Sequence, residues 1–173
     1  MGLLNDFETF CSNILLDNLA DMKKTAGEIA KKLNKSYYDL DNENELHMYI
    51  VGSVGRKTAI SGSSDLDVLF DLPANIYSKY NAYSDNGQSA LIQDVKNVLK
   101  EKYPNTDIRG DGQVVVIAFN KYTVELVPGF KQADDRFKYP DTHDGGSWKY
   151  TDPLSEQSAC TECENESDGK YYD

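Results

Sequence analysis

Three acidic residues of this chain have the type and spacing to bind divalent metal ions. Asp65 and Asp67 alternate with the apolar residues Leu66 and Val68. In a strand, residues two apart share a face, so both carboxylates point one way while the apolar side chains point to the core. Adjacent carboxylates repel each other unless a cation lies between them, and such oxygen ligands suit Mg²⁺. The pattern predicts a Mg²⁺ site, with Mn²⁺ as an alternative ion.

Glu125 is the third candidate ligand, because it is the single charged residue in the apolar segment Thr-Val-Glu-Leu-Val. A carboxylate in such a strand is costly to bury unless it is paired or binds a metal. Each carboxylate also has an interpretation without chemistry. Asp65 and Asp67 could cap a turn and continue along an exposed strand face, and Glu125 could lie on the surface of an edge strand.

A glycine-serine pair precedes the first two carboxylates and could bind phosphate. The β-prone segment 46–51 stops at Gly52-Ser53, which can begin a short helix. Free backbone N–H groups at a helix start attract anions, glycine allows close approach, and serine adds a hydroxyl donor. We therefore expect Gly52 and Ser53 to hold nucleotide phosphates. Arg56 follows in the same segment and could equally face the phosphates or the solvent.

Two further residues are candidates for binding the nucleotide. Ser64 ends the Ser-Gly-Ser-Ser turn directly before Asp65, and Lys131 follows the Glu125 strand together with Arg136. Basic side chains at that place could contact triphosphate oxygens. Ordinary solvated charges are an equally good interpretation of the two basic residues.

Three stretches in order, GSVGRKTAISGSSDLDVLF, TVELVPGF and FKYPDTHDGGSWKYTDP, carry a family resemblance. Together they resemble the CD-NTases, nucleotidyltransferases of the DNA polymerase beta superfamily that are related to cyclic GMP-AMP synthase and oligoadenylate synthase. The resemblance covers about Leu3 to Pro153. Each motif alone is a weak signal, whereas the three in order are specific.

The resemblance implies an α+β fold with a long N-terminal helix, in which helices flank a mixed sheet. It implies joining of NTPs, ATP or GTP or both, into a cyclic or linear oligonucleotide messenger of bacterial anti-phage signalling. Asp65, Asp67 and Glu125 would be the catalytic residues and would bind two Mg²⁺ ions. The family also has a helical C-terminal half, and its absence from the sequence predicts a truncated form whose activity is an open question.

The hydrophobic pattern predicts the elements that position these residues. An amphipathic helix is expected from Leu3 to about Leu33, a connection over 36–45, a loop over 76–86 and a second helix over 89–103. Strands are expected over 46–51, 65–70, 107–109, 113–119 and 122–127, the last two forming a hairpin around Asn120-Lys121. Trp148 is expected to be a packing anchor.

The end of the chain differs from the rest in composition. Residues 155–173 hold six acidic side chains and one lysine, with hardly an aliphatic residue, and such a segment buries too little to order itself. We therefore expect a nucleotidyltransferase domain over 1–153 and a disordered or displaced tail over 154–173. Cys160 and Cys163 lie in this tail, and without a second pair they do not predict a zinc site.

The overall composition narrows the classes of partner. The 173 residues carry a net charge of −11, which disfavours binding to long nucleic acid. Neither an apolar run of 18 residues nor a basic, secretory-type start is present, so we expect a cytoplasmic protein that does not span a membrane. Apolar surface left uncovered by a missing lobe would favour an oligomer.

Three functions are consistent with these residues. The first is synthesis of an oligonucleotide messenger, and the second is transfer of a nucleotide to a protein or tRNA by a minimal, antitoxin-like enzyme. The third is a non-catalytic form that binds NTP or dimerises. Products formed from labelled NTPs distinguish the three.

Overall fold

The computed structural model describes residues 18–41, 45–60 and 65–166, with side chains up to residue 163. Its centre is a seven-stranded sheet with the order β1-β2-β5-β4-β3, in which β6 also pairs with β5 and β7 pairs with β6. The strands are β1 (Met48–Ile50), β2 (Asp65–Asp71), β3 (Asp107–Asp111), β4 (Val114–Ala118), β5 (Thr123–Lys131), β6 (Phe137–Asp141) and β7 (Ser147–Thr151). The helices are α1 (Leu19–Tyr38), α2 (Gly52–Gly55), α3 (Ala74–Asn81), α4 (Gly87–Lys102) and α5 (Pro153–Glu166).

The sheet is mixed, as the sequence predicts. β2 and β5 are parallel, and the other described pairs are antiparallel. The structure has a mixed sheet flanked by helices, and α1 precedes the first strand in the chain. This architecture confirms the α+β expectation. No helix among the described residues combines the length and the apolar character needed to cross a bilayer.

The two faces of β2 differ in their surroundings. Leu66, Val68 and Phe70 point to one face and are buried in the main core, which α1 and α4 cover with residues such as Ile29, Leu33, Leu91, Val95 and Leu99. Asp65 and Asp67 alternate with them, so they point to the other face. Burial of the apolar face fixes the direction of the carboxylates, because a slip of one residue would exchange the faces.

The two predicted long helices are present with shifted ends. α1 begins within the described part of the chain at Leu19 and continues past the predicted end to Tyr38, while residues 3–17 lie outside the described residues. It ends at Asp39, whose φ of 54° is left-handed and whose backbone N–H donates to the Asn34 carbonyl. α4 begins after Asn86, whose side chain caps the helix by accepting a hydrogen bond from the Ser89 N–H at 2.9 Å.

The predicted loop over 76–86 is wrong for its first half, because α3 extends to Asn81. Ile76 and Tyr77 pack against the main core and Tyr80 is 3% exposed. Tertiary burial of these side chains outweighs the modest helix propensity of tyrosine.

The predicted end of the Glu125 strand is also wrong, because β5 continues through Pro128 to Lys131. Pairing with β4 extends to Leu126 and pairing with β6 begins at Phe130. Proline, which has no N–H, is tolerated in the gap between these two partners. The hairpin of β6 and β7, which is rich in polar residues, is a further addition to the sheet.

Trp148 is the packing anchor that the sequence predicts. Its ring contacts Tyr77 and Phe130, with centroids 5.0 and 5.6 Å away. Its indole N–H donates to Asn81 Oδ1 at 3.0 Å. The tryptophan therefore joins the hairpin of β6 and β7 to α3.

The expectation of a disordered tail is wrong as far as residue 166, because α5 is a helix. Asp152 Oδ1 accepts a hydrogen bond from the Ser155 N–H at 3.1 Å, and proline suits the first position of a helix. Leu154 packs against a small cluster of Val51, Leu69 and Phe137. Residues 167–173 lie outside the described part, and the division of the chain at residue 153 stays a prediction.

Candidate functional site

The structure brings the three predicted carboxylates to one face of the sheet. In the parallel pair of β2 and β5, Asp67 is in register with Glu125, and Asp65 is in register with Thr123. Register partners in neighbouring strands point to the same face and lie about 4.8 Å apart. Glu125 therefore points the same way as Asp65 and Asp67, where both strands begin.

Burial and neighbouring negative charges raise the pKa values of Asp67 and Glu125. Burial raises the pKa of Asp67, Asp65 raises it further, and the positive charge of Arg56 opposes the shift. Burial also raises the pKa of Glu125, with further increases from Asp67, Asp65 and Asp111. The neighbouring negative charges thus disfavour the ionised forms of Asp67 and Glu125, and a bound cation would remove this repulsion.

Gly52 is in direct contact with the carboxylate of Asp67. A Cβ at this position would overlap Asp67 Oδ2 and lie 2.7 Å from its Cγ, and the φ of Gly52 is +61°. Both the space and the backbone conformation therefore require glycine. The Val51 N–H donates to the Asp67 carbonyl at 2.9 Å, so the turn and the carboxylate are held together by packing and by a backbone hydrogen bond.

Ser53 and Arg56 complete the turn. The Ser53 carbonyl accepts hydrogen bonds from the N–H groups of Thr58 at 2.9 Å and Ala59 at 3.2 Å, which closes the loop after α2. Arg56 is close enough to lower the pKa of Asp67, and its Nη1 lies 3.8 Å from Glu156 Oε2 of α5. The structure therefore brings Gly52 and Arg56 to Asp67. Ser53 follows Gly52 in the same turn, and Ser64 lies outside the described residues.

Lys131 does not lie beside the three carboxylates. It lies six residues beyond Glu125 on β5, a distance of about 20 Å at 3.3 Å per residue. Its Nζ pairs with Asp135 Oδ1 at 3.0 Å, and its backbone N–H donates to Asp71 Oδ1 at 2.8 Å. The prediction ended the Glu125 strand at Val127 and rested on closeness in sequence, whereas the strand continues to Lys131, away from the carboxylates.

Arg109 and Asp111 are site residues that the sequence reasoning missed. Arg109 is in register with Val116, which is in register with Glu125, so the three side chains share a face. Both residues influence the pKa of Glu125, which Asp111 raises and Arg109 lowers. Their alternation with apolar Ile108 was a signal, but only the register across two strand pairs shows that they border the carboxylates.

The donor set suits a hard divalent cation. Asp65, Asp67 and Glu125 offer only anionic oxygens, and their mutual repulsion favours a charge between them. Within 18–41, 45–60 and 65–166, no three His, Cys, Asp or Glu side chains lie close enough to form a ready metal site. The three carboxylates are therefore neighbours on one face rather than a closed cage, and they are the residues that would hold Mg²⁺.

A family model covers almost the whole chain. Residues 1–164 match the Second Messenger Oligonucleotide or Dinucleotide Synthetase domain. Among curated proteins no match is found.

Solved structures share the fold. The CdnG CD-NTase of Bradyrhizobium diazoefficiens in complex with GTP is 15% identical, with a TM-score of 0.62 over 86% of this chain and 44% of that one. The CdnE c-UMP-AMP synthase of Rhodothermus marinus with Apcpp and Upnpp is 17% identical, with a TM-score of 0.60 over 86% and 56%. The CdnE cyclic dinucleotide synthase of Elizabethkingia meningoseptica with GTP and Apcpp is 16% identical, with a TM-score of 0.61 over 91% and 62%. This chain spans about half the length of these proteins.

Proposed function

The chain belongs to the Second Messenger Oligonucleotide or Dinucleotide Synthetase domain family, and on this premise we propose that it carries the Mg²⁺-binding and nucleotide-binding half of a messenger-forming nucleotidyltransferase. The observation that supports this most is the register of Asp67 with Glu125, with Gly52 packed against the Asp67 carboxylate. Three acidic groups then share one face, beside the Gly52–Ser53 turn.

Each residue has a distinct task in this proposal. The Gly52 and Ser53 backbone and the Ser53 hydroxyl bind the terminal phosphates, and Arg56 balances their charge. Asp65, Asp67 and Glu125 would hold Mg²⁺ or Mn²⁺. When bound, the metal supplies charge neutralisation and a lower pKa for the attacking hydroxyl. Positioning and charge are then sufficient, and no histidine is needed.

The substrates that we propose are NTPs, ATP and GTP first. Solved proteins of this fold carry GTP in one case and GTP with Apcpp in another. The product would be a cyclic or linear oligonucleotide that acts in anti-phage signalling. The acidic surface, with its net charge of −11, fits small NTP–metal complexes better than a long nucleic acid.

The test combines product analysis with binding. The chain is incubated with Mg²⁺ or Mn²⁺ and each α-labelled NTP, alone and in pairs, and products are separated by chromatography. NTP affinity is measured in parallel with and without metal. Oligonucleotide products that disappear in Asp67→Asn support the proposal, and absence of metal-dependent NTP binding contradicts it.

A second candidate is NTP binding without turnover, which is supported by the absence of a ready three-ligand metal site within the described residues. Metal-dependent binding without product would support it. Label transferred to a protein or tRNA would instead indicate the minimal transferase.

A further inference from the structure

Helix α5 contacts the strand β1, which leads into the Gly52–Ser53 turn. Gln157 Nε2 donates a hydrogen bond to the Ile50 carbonyl at 2.8 Å, across 107 positions of sequence. Ile50 is the last residue of β1, which lies at the edge of the sheet and pairs with β2. Gly52 follows two residues later. A side chain of α5 therefore satisfies a carbonyl at the edge of the sheet, directly before the turn.

Gly55 makes this contact possible. A Cβ on residue 55 would overlap Gln157 Nε2 and lie 2.6 Å from the Ile50 carbonyl oxygen. Unlike Gly52, Gly55 has no left-handed backbone that would require glycine. The requirement at this position is therefore one of space, and the space is taken by the Gln157 amide and the carbonyl that it binds.

Neighbouring residues of α5 contact the same region. Leu154 packs against Val51 in the small apolar cluster, and Glu156 lies 3.8 Å from Arg56. Gln157 is thus one of three α5 residues that contact the chain on either side of Gly52. Of these contacts, only that of Gln157 is a hydrogen bond to the backbone of β1.

We propose that Gln157 is a positioning residue, which fixes the end of β1 and thereby keeps the Gly52–Ser53 turn against Asp67. The effect on nucleotide affinity rests on the proposed function of the turn, whereas the effect on the turn itself does not. Three backbone hydrogen bonds report on the turn, since the N–H groups of Gly55, Arg56 and Thr58 donate within it at 2.9 to 3.0 Å.

The experiment measures hydrogen exchange at these three amides in the full chain without nucleotide. Gln157→Leu removes the donor, and Gln157→Glu keeps the shape but offers no N–H. Ser158→Ala is the matched control, because the Ser158 hydroxyl donates to the Leu154 carbonyl inside α5. We expect roughly three- to tenfold faster exchange in both Gln157 variants, the range for one hydrogen bond.

Two further measurements complete the test. One is hydrogen exchange at the amides of the central strand β4, and the other is the affinity for a non-hydrolysable NTP in the presence of Mg²⁺. In the Gln157 variants, β4 should exchange as in the wild type, since a general loss of stability would accelerate both regions. NTP affinity should fall about three- to tenfold. Unchanged exchange at the turn, or protection retained in Gln157→Glu, overturns the proposal. A wild-type chain that binds no NTP contradicts the proposed function instead, and the exchange data still decide the role of Gln157.

Discussion

Two carboxylates of this sheet have opposite surroundings, although Asp141 is buried and Asp67 is partly buried. Asp141 of β6 has a side chain that is 5% exposed, and Lys149 Nζ, the His143 backbone N–H and the His143 ring donate to it. These hydrogen bonds hold the pKa of Asp141 well below its usual range, and the bond from Lys149 has the largest effect. Burial and Asp65 instead raise the pKa of Asp67.

The difference separates a carboxylate that stabilises the fold from carboxylates that are available to a ligand. Asp141 has its cation within the chain, so ionising it favours the folded state. Asp67 and Glu125 lie side by side, and ionising both opposes folding until a cation arrives. Such local conflict is expected at functional sites, where other parts of the fold supply the stability.

The largest effect that tests this comparison is expected from Asp67→Asn. Removing the charge should weaken metal-dependent NTP binding by at least roughly a hundredfold, because the metal loses a central ligand. The free energy of unfolding without metal should be unchanged or higher, since a repulsive charge is removed. Binding is measured by titration calorimetry with Mg²⁺ and a non-hydrolysable NTP, and stability by urea unfolding.

Asp141→Asn is the matched control, because it also removes one negative charge from a strand of the sheet. It should retain NTP affinity within about twofold and should lower the stability, since Lys149 and His143 lose their ionised partner. If both variants lose the same stability and neither loses affinity, the distinction between the two carboxylates is wrong.

Gly52→Ala should have the next largest effect, because the added methyl group would overlap the Asp67 carboxylate. We expect about a tenfold loss of NTP affinity and roughly 1 to 3 kcal/mol of lost stability from overlap and strain. Gly145→Ala is the control, since Gly145 also has a positive φ but nothing lies within 4 Å of its added Cβ. The control should lose stability and retain affinity, and an equal loss of affinity would contradict the role of the contact.

The pH dependence of stability gives a smaller effect of defined sign. A carboxyl group whose pKa is raised on folding binds its proton more tightly in the folded state, so the wild type loses stability as pH rises from the ordinary value of 3.8 through the raised pKa of Asp67. Asp67→Asn lacks this loss. The free energy of unfolding of Asp67→Asn should exceed that of the wild type by close to zero at about pH 4 and by most at neutral pH.

Urea unfolding from pH 4 to pH 8, with and without Mg²⁺, measures this difference. Saturating Mg²⁺ should reduce the advantage of the variant, because the ion binds the folded wild type. An advantage that is constant with pH would show that the Asp67 charge does not oppose folding.

Local pattern was sufficient to predict much of the fold. Alternation placed Leu66 and Val68 in the core, and the helical period located most of α4. The sequence failed where tertiary contacts decide the structure. Tyr80 makes α3 a helix by being buried, and Leu154 and Gln157 order a helix of low apolar content by contacting distant strands.

The candidate site could be predicted in its central residues but not at its borders. Asp65 and Asp67 share a face because of their spacing alone. Glu125 was recognised as the single charged residue of an apolar strand, but its position beside Asp67 depends on the parallel register of β2 and β5, which only the structure gives. The place of Arg109 depends on two further registers. Lys131 was placed wrongly, because charge and proximity in sequence do not give the direction in which a strand continues.

Lys131→Ala should therefore have the smallest effect. Since Lys131 pairs with Asp135 and lies about 20 Å along the strand from Glu125, its loss should change NTP affinity by less than about twofold. Arg56→Ala is the matched basic substitution, and we expect it to weaken NTP binding about three- to tenfold, because Arg56 is close enough to act on Asp67. If Lys131→Ala weakens binding as much as Arg56→Ala, the nucleotide must extend along β5, and the site is larger than the carboxylate face.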